Sequence, residues 1–343
     1  DPGLVTNLGS PSHTVGQWSN DPTIQWTWTA ATDNLSGIQG YGIYENTSAS
    51  LPGQTLDIGP VTSFTSAAYP SSNSPRYFNI RSVDRSDNWD AQFASTGPYF
   101  IDTTLPTAPP SIQTTTHPVG STRCEQRITV RWNAASDAHS GVQGYGIFWS
   151  PSPTSNPGNV LDTTSRQDTE ILAPGTWYLH VKTVDVAGNW STAVAHFGPF
   201  RISDECGSSY CSTNASSRGL PGRMSATGAD DASDNDLRVE ASQLPTNTVG
   251  FFLASATSGF VANPGGSQGN LCLGGGVGRY SNTVLNSGAT GSFGLNLDLT
   301  AVPTPTGSIS ITAGMTYHWQ AWFRDANPGV TSNLTDGVRI LFY

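Results

Sequence analysis

Four aspartates crowd one short stretch of this chain, Asp230, Asp231, Asp234 and Asp236, and could supply the oxygen donors that a hard cation such as calcium takes. Asp33 and Asp137 offer single carboxylates in two other loops. None of these stretches has the D-x-D-x-D-G spacing of a calcium loop. Because Asp, Asn, Ser and Gly also turn a chain by bonding their own backbone, calcium binding and plain turn formation both stand as readings. Nucleophilic chemistry is poorly provided. Gly265, Gly266, Ser267, Gln268 and Gly269 carry the letters of a nucleophile elbow, but a Pro-Gly loop precedes them where the elbow needs a strand, and a cysteine strand follows where it needs a helix. Gly274, Gly275, Gly276 and Gly278 lack the Lys-Ser/Thr that completes a phosphate cradle. The histidines are scattered without metal-ligand spacing, and His180 and His318 read as outward-facing surface residues. The expectation is a protein that is not an enzyme and carries no obligatory cofactor.

The four cysteines, Cys124, Cys206, Cys211 and Cys272, have no C-x-x-C spacing, which argues against zinc. Cys124 and Cys206 bracket one stretch of about a module's length, and Cys211 and Cys272 lie in the remainder of the chain. Bridges Cys124–Cys206 and Cys211–Cys272 fit that placement, although three pairings, or four free thiols, are open in principle. Disulfides imply an oxidising compartment.

These residues must be positioned by repeated elements. WTAATDNLSGIQGYGI, from Trp28 to Ile43, returns as WNAASDAHSGVQGYGI, from Trp132 to Ile147, and YFNIRSVDRSDNW, from Tyr77 to Trp89, returns as YLHVKTVDVAGNW, from Tyr178 to Trp190. Self-similarity at one period means duplicated modules, each with its own core. Strand-like alternation (Ile24, Trp26, Trp28; Ile128, Val130, Trp132) and the absence of any sustained helical period give an all-β chain. A module of about a hundred residues with an inward Trp is the pattern of an immunoglobulin-like sandwich.

The residues carry a resemblance. Trp28, Asp33, Ser36, Gly37 and Tyr41, then Val83, Asp84, Asn88 and Trp89, with counterparts Trp132, Asp137, Ser140, Gly141 and Tyr145, then Val184, Asp185, Asn189 and Trp190, resemble bacterial fibronectin type III or Ig-like modules. The segment from Glu205, with YCSTNASSRG, LCLGGG and YHWQAWFRD, resembles a C-terminal module of large secreted bacterial proteins that has no assigned activity, and that likeness supports the Cys211–Cys272 pairing. Three units are expected: two tandem Ig-like or fibronectin type III-like β-sandwiches at 1–103 and 104–204, and a different β-sandwich at 205–343. The linker-like Asp1, Pro2 and Gly3 suggest further modules upstream.

If Tyr41 and Phe78 point inward, Tyr44 and Tyr77 point outward on neighbouring strands, as Phe148 and Tyr178 do in the second copy. Such pairs can stack on sugar rings, contact a partner, or stabilise the sheet across strands. A net charge of −10 with no basic run excludes nucleic acid, and no apolar stretch is long enough to span a membrane. With 12% of residues charged, the surface is that of an extracellular or cell-surface protein. The expected function is structural or adhesive, a stalk, fibre or surface-assembly subunit whose partners are copies of itself or other surface proteins. The alternative is an accessory spacer or carbohydrate-binding region of a secreted hydrolase, with polysaccharide as partner.

Overall fold

Alternation of Ile24, Trp26 and Trp28 with polar residues is the period of a half-buried strand, and in the computed structural model, which describes residues 1–326 and 329–343, all three side chains are buried. The first repeat forms β1 (Thr6–Gly9), β2 (Trp18–Ser19), β3 (Gln25–Thr29), β4 (Ile38–Asn46), β5 (Ser63–Thr65), β6 (Ser72–Asp84) and β7 (Ala94–Ile101). The second answers with β8 (Ile112–Thr114), β9 (Thr122–Arg123), β10 (Arg127–Trp132), β11 (Val142–Ser150), β12 (Gln167–Ile171), β13 (Gly175–Asp185) and β14 (Ala195–Ile202). Sheets β1-β3-β5 and β2-β7-β6-β4 enclose Ile24, Trp26, Tyr41, Phe78, Ile80 and Tyr99. Sheets β12-β10-β8 and β11-β13-β14-β9 enclose Ile128, Val130, Trp132, Tyr145, Leu179 and Phe200. Strand for strand the order is the same, and each repeat is an Ig-like β-sandwich.

The copied residues serve this architecture. Asp33 and Asp137 accept the backbone N–H of Gly37 and Gly141 at 2.8 and 3.0 Å, closing the turn into β4 and β11. Asp84 and Asp185 accept both the backbone N–H and the side-chain Nδ2 of Asn88 and Asn189. Trp89 and Trp190 lie beneath Arg81 and Lys182, at 4.8 and 5.9 Å from cation to ring centroid. The glycines between them allow close backbone approach, since a Cβ on Gly144 would sit 2.5 Å from the Thr163 carbonyl oxygen and 2.6 Å from Leu161. Gly144→Ala is therefore expected to destabilise the second repeat by about 1–3 kcal/mol, read as a lower urea midpoint at unchanged slope.

The third segment is an unlike sandwich. Its larger sheet runs Ser208–Tyr210, Val330–Leu341, Thr316–Ala326, Val249–Ser255 and Gly278–Arg279, and its smaller sheet runs Arg223–Gly228, Leu237–Ser242 and Phe293–Leu297. Met224, Val239, Phe252, Trp319, Phe323 and Ile340 fill the space between. Tyr317, Trp319, Ala321 and Phe323 are buried as the alternation requires, but His318 and Gln320 on the opposite face are buried too, which corrects the reading of His318 as a surface residue. The hairpin Thr257–Ala262 with Asn270–Gly274 covers that face: Gln320 accepts from the Cys272 N–H at 2.9 Å and donates to the Asn270 carbonyl at 2.8 Å. The bridge Cys211–Cys272 ties this cover to the loop after Tyr210, whose ring meets His318 edge-on.

Candidate functional site at the two junctions

Among the described residues, one group of three carboxylates lies within reach of a single cation, and it is not the aspartate stretch at 230–236. Asp102 from the linker after β7, Asp137 from the loop before β11 and Asp185 at the end of β13 bring one oxygen each within 4.8 Å of the others. Asp102 and Asp185 are fully buried. Their oxygens accept from local donors: Asp102 from the N–H groups of Thr104 and Ser140 at 2.8 and 3.0 Å, Asp185 from Asn189, whose Nδ2 also donates to the Asp102 carbonyl at 2.8 Å. Burial works against ionising Asp102, but the Ser140 and Thr104 bonds outweigh it and hold its pKa below the ordinary value. Burial, together with the neighbouring charges of Asp102 and Asp137, raises that of Asp185 despite the Asn189 bonds. The linker is thereby fastened to the second repeat. In the first repeat Asp33 and Asp84 occupy the matching turns.

The second junction is built around Arg123 in β9, which reaches Asp230 of the third segment. Arg123 Nε donates to Asp230 Oδ1 at 3.1 Å, and Nη2 lies 3.0 Å from the same oxygen without hydrogen-bond alignment. Both side chains are more than nine-tenths buried, and the guanidinium stacks 3.9 Å from the Tyr343 ring centroid. Asp230 Oδ1 also accepts the Glu125 N–H, and Cys206 N–H donates to the Ala226 carbonyl at 2.7 Å. The Cys124–Cys206 bridge, which spans the second repeat, packs into the core of the third segment beside Met224 and Ala226.

Of the four aspartates singled out in the sequence, Asp230 is thus engaged by Arg123 rather than free for a cation, and Asp231 caps a short 3-10 turn by accepting from Ser233 N–H at 2.9 Å. Asp234 and Asp236 line a cavity of about 360 Å³ together with Glu125, a residue the spacing did not point to. Burial pushes the Glu125 carboxyl up to about 7; the Arg127 N–H bond opposes this, and Asp234, within hydrogen-bonding reach, adds to it. The only sequence signal for Arg123 and Glu125 was their position beside Cys124 in a chain poor in charge.

The aromatic faces are partly as expected. Tyr44 and Phe148 are exposed, while Tyr77 and Tyr178 are half-buried, and the register sets Tyr44 opposite Asn79 and Phe148 opposite His180. Each pair is therefore diagonal, and Tyr77 and Tyr178 lie over Gly97 and Gly198 of the next strand. His180 is fully buried, which corrects its reading as a surface residue: the loop after β11 closes over it. Its Nε2 meets Ser150 Oγ at 3.0 Å and its Nδ1 meets His196 Nδ1 at 2.7 Å. Ser150 is 5% exposed, so this Ser-His contact is closed to a substrate. Ser267 of the Gly-rich stretch donates to the Ser332 carbonyl at 2.9 Å and stands in a turn, not at a strand-to-helix elbow.

Burial depresses the pKa of His180, with His196 adding to the effect; it likewise depresses His117, with help from Arg123, and His318. A histidine whose folded pKa lies below the unfolded value of about 6.5 binds its proton more readily when unfolded, so stability is lost as pH falls through and below that value. Asn79 occupies the place of His180 in the first repeat. The difference in stability between the parent chain and His180→Asn is therefore expected to shift against the parent as pH falls from 7 to 5, measured as urea midpoints across that range. A constant difference would contradict the assignment.

No protein-family model matches the chain, and no curated protein sequence matches it. Among solved structures it is similar to the chicken CNTN1 FN1–FN3 domains, at 14% identity over 99% of each chain and a TM-score of 0.22. It is also similar to the fibronectin(III)-like modules of Clostridium thermocellum CbhA, at 12% identity over 57% of this chain and 93% of that one, with a TM-score of 0.30. At such scores neither likeness bears on function. Among the described residues no helix is long and apolar enough to cross a membrane.

Proposed function

We propose that this chain is a non-enzymatic, extracellular structural or adhesive protein in which rigid β modules, at 1–103, 104–204 and 205–343, are joined end to end as part of a stalk, fibre or surface assembly. The observation that carries this reading is the buried Arg123–Asp230 pair between the second repeat and the third segment. A flexible linker leaves its joint solvated, whereas a joint that buries a charge pair resists opening, because opening separates two partners that each depend on the other. The two disulfides suit an oxidising, extracellular setting. Partners would be further copies or other surface proteins, met through exposed apolar residues such as Tyr44 and Phe148. Calorimetry tests the joint: the second repeat and third segment are expected to melt together, and a third segment that melts alone contradicts the reading.

One observation favours the second reading, an accessory region that binds polysaccharide. Phe251 and Trp322 stand 5.0 Å apart beside a cleft of about 500 Å³ that Arg279 and Ser281 also line. Aromatic faces with polar neighbours are what sugar rings stack on. Retention on insoluble polysaccharide that Trp322→Ala abolishes at unchanged melting temperature would support it, and a chain that passes through unretained would oppose it.

A further inference from the structure

The outer face of the third segment's larger sheet is only partly covered. Residues two apart on a strand share a face, and with Phe252 and Phe323 buried inside, Phe251, Leu253 and Trp322 point outward. Register sets Phe251 beside Trp322, Trp322 beside Leu334, and Leu253 beside Arg279. The hairpin Thr257–Ala262 with Asn270–Gly274 covers part of this face, where its Leu273 joins a buried cluster with Leu253 and Leu334. Phe251 and Trp322 stay half-buried where the cover stops, and the step leaves the cleft of about 500 Å³. The polar side chains that line it are Arg279, Ser281 and Ser267, with no carboxylate or amide among them, and the Ser267 hydroxyl is spent on the Ser332 carbonyl. Arg279 is exposed and in no ion pair among the described residues; neither is Arg324, whose guanidinium lies 5.3 Å from the Trp322 ring centroid. A neutral sugar presents hydroxyls that both donate and accept, and holding it takes side-chain acceptors as well as donors. Here donors and positive charge stand beside an apolar wall, which complements oxygen acceptors that carry negative charge. We propose that the cleft binds a carboxylated sugar, a uronic acid residue of an acidic polysaccharide, with its ring against Phe251 and Trp322 and its carboxylate on Arg279. The planar guanidinium fork matches a carboxylate with two parallel hydrogen bonds.

The inference rests on the second reading above, that the chain binds polysaccharide, and the two can fail separately. The test is affinity electrophoresis of the full chain, with a chelator present, in gels that hold polygalacturonate or its methyl ester, which keeps the sugar backbone and removes the charge. A net charge of −10 repels a polyanion, so retention by polygalacturonate reports a local site and not a general attraction. The parent is expected to be slowed by polygalacturonate and not by the ester. Arg279→Gln, at an exposed position, should weaken the apparent affinity about tenfold or more. Trp322→Ala should abolish retention, and Arg279→Gln carries the test if that variant does not fold. Equal retention by the ester, or retention that Arg279→Gln leaves intact, overturns the proposal while the polysaccharide reading stands. So does retention on a neutral insoluble polysaccharide alone. A chain that no polysaccharide retains overturns both.

Discussion

Arg123→Met is expected to destabilise the chain by about 3–5 kcal/mol, the largest effect of any single substitution considered, because it leaves Asp230 buried without its counter-charge. The side chain does more than neutralise. It donates to the Thr116 carbonyl, packs on Tyr343 and ties β9 to the third segment, so its loss removes a link in both chain directions. A second substitution separates charge from packing. In Arg123→Met with Asp230→Asn the orphaned charge is gone, the amide oxygen can still accept the Glu125 N–H, and most of the lost stability should return. The check is chemical denaturation of the parent, both single variants and the double variant. Additive losses would mean that the pair does not act as a unit.

Removing the Cys124–Cys206 bridge, by replacing both cysteines with alanine, is expected to cost about 4 kcal/mol. The closed loop is long, its partners separated by 82 in sequence, and the entropy that such a loop withholds from the unfolded chain grows with its length. Position makes the consequence broader than one repeat. Because the bridge packs into the third segment's core, its loss should lower the stability of that segment together with the second repeat. Denaturation of the double variant, with fluorescence reporting on Trp132 in one core and Trp319 in the other, checks this. A fall confined to the second repeat would show that the bridge is a local staple.

Much of the fold was legible in the sequence because the duplicated stretches set the strand alternation side by side, and a residue such as Trp26 or Trp132 can be placed from its neighbours alone. The cysteine pairs fitted the placement of the modules, with the likeness of the third segment supporting Cys211–Cys272, but chain order alone left three pairings open, and the folded chain closes these two. What stayed hidden depends on parts of the chain that meet only in three dimensions. Arg123 and Asp230 are 107 residues apart and belong to unlike folds, so no periodicity connects them. Glu125 looked like one charge among few, and only the folded joint shows that it faces Asp234. His180 and His318 misled for a related reason. Alternation assigns a face to each residue but cannot tell whether a later loop or hairpin will cover that face, as happens to both. The four aspartates were correctly seen as a concentration of charge, and their division into an ion-pair partner, a cap and two cavity-lining groups is set by tertiary contacts.

The central claim is that the second repeat and the third segment share a fixed joint. Pulsed electron spin resonance between labels placed by cysteine substitution at the exposed positions Val160 and Val284 measures it most directly, with the native disulfides left intact. A single narrow distance distribution in the parent chain, broadened by Arg123→Met, is the result the claim predicts. A broad distribution in the parent chain, unchanged by that substitution, would contradict it.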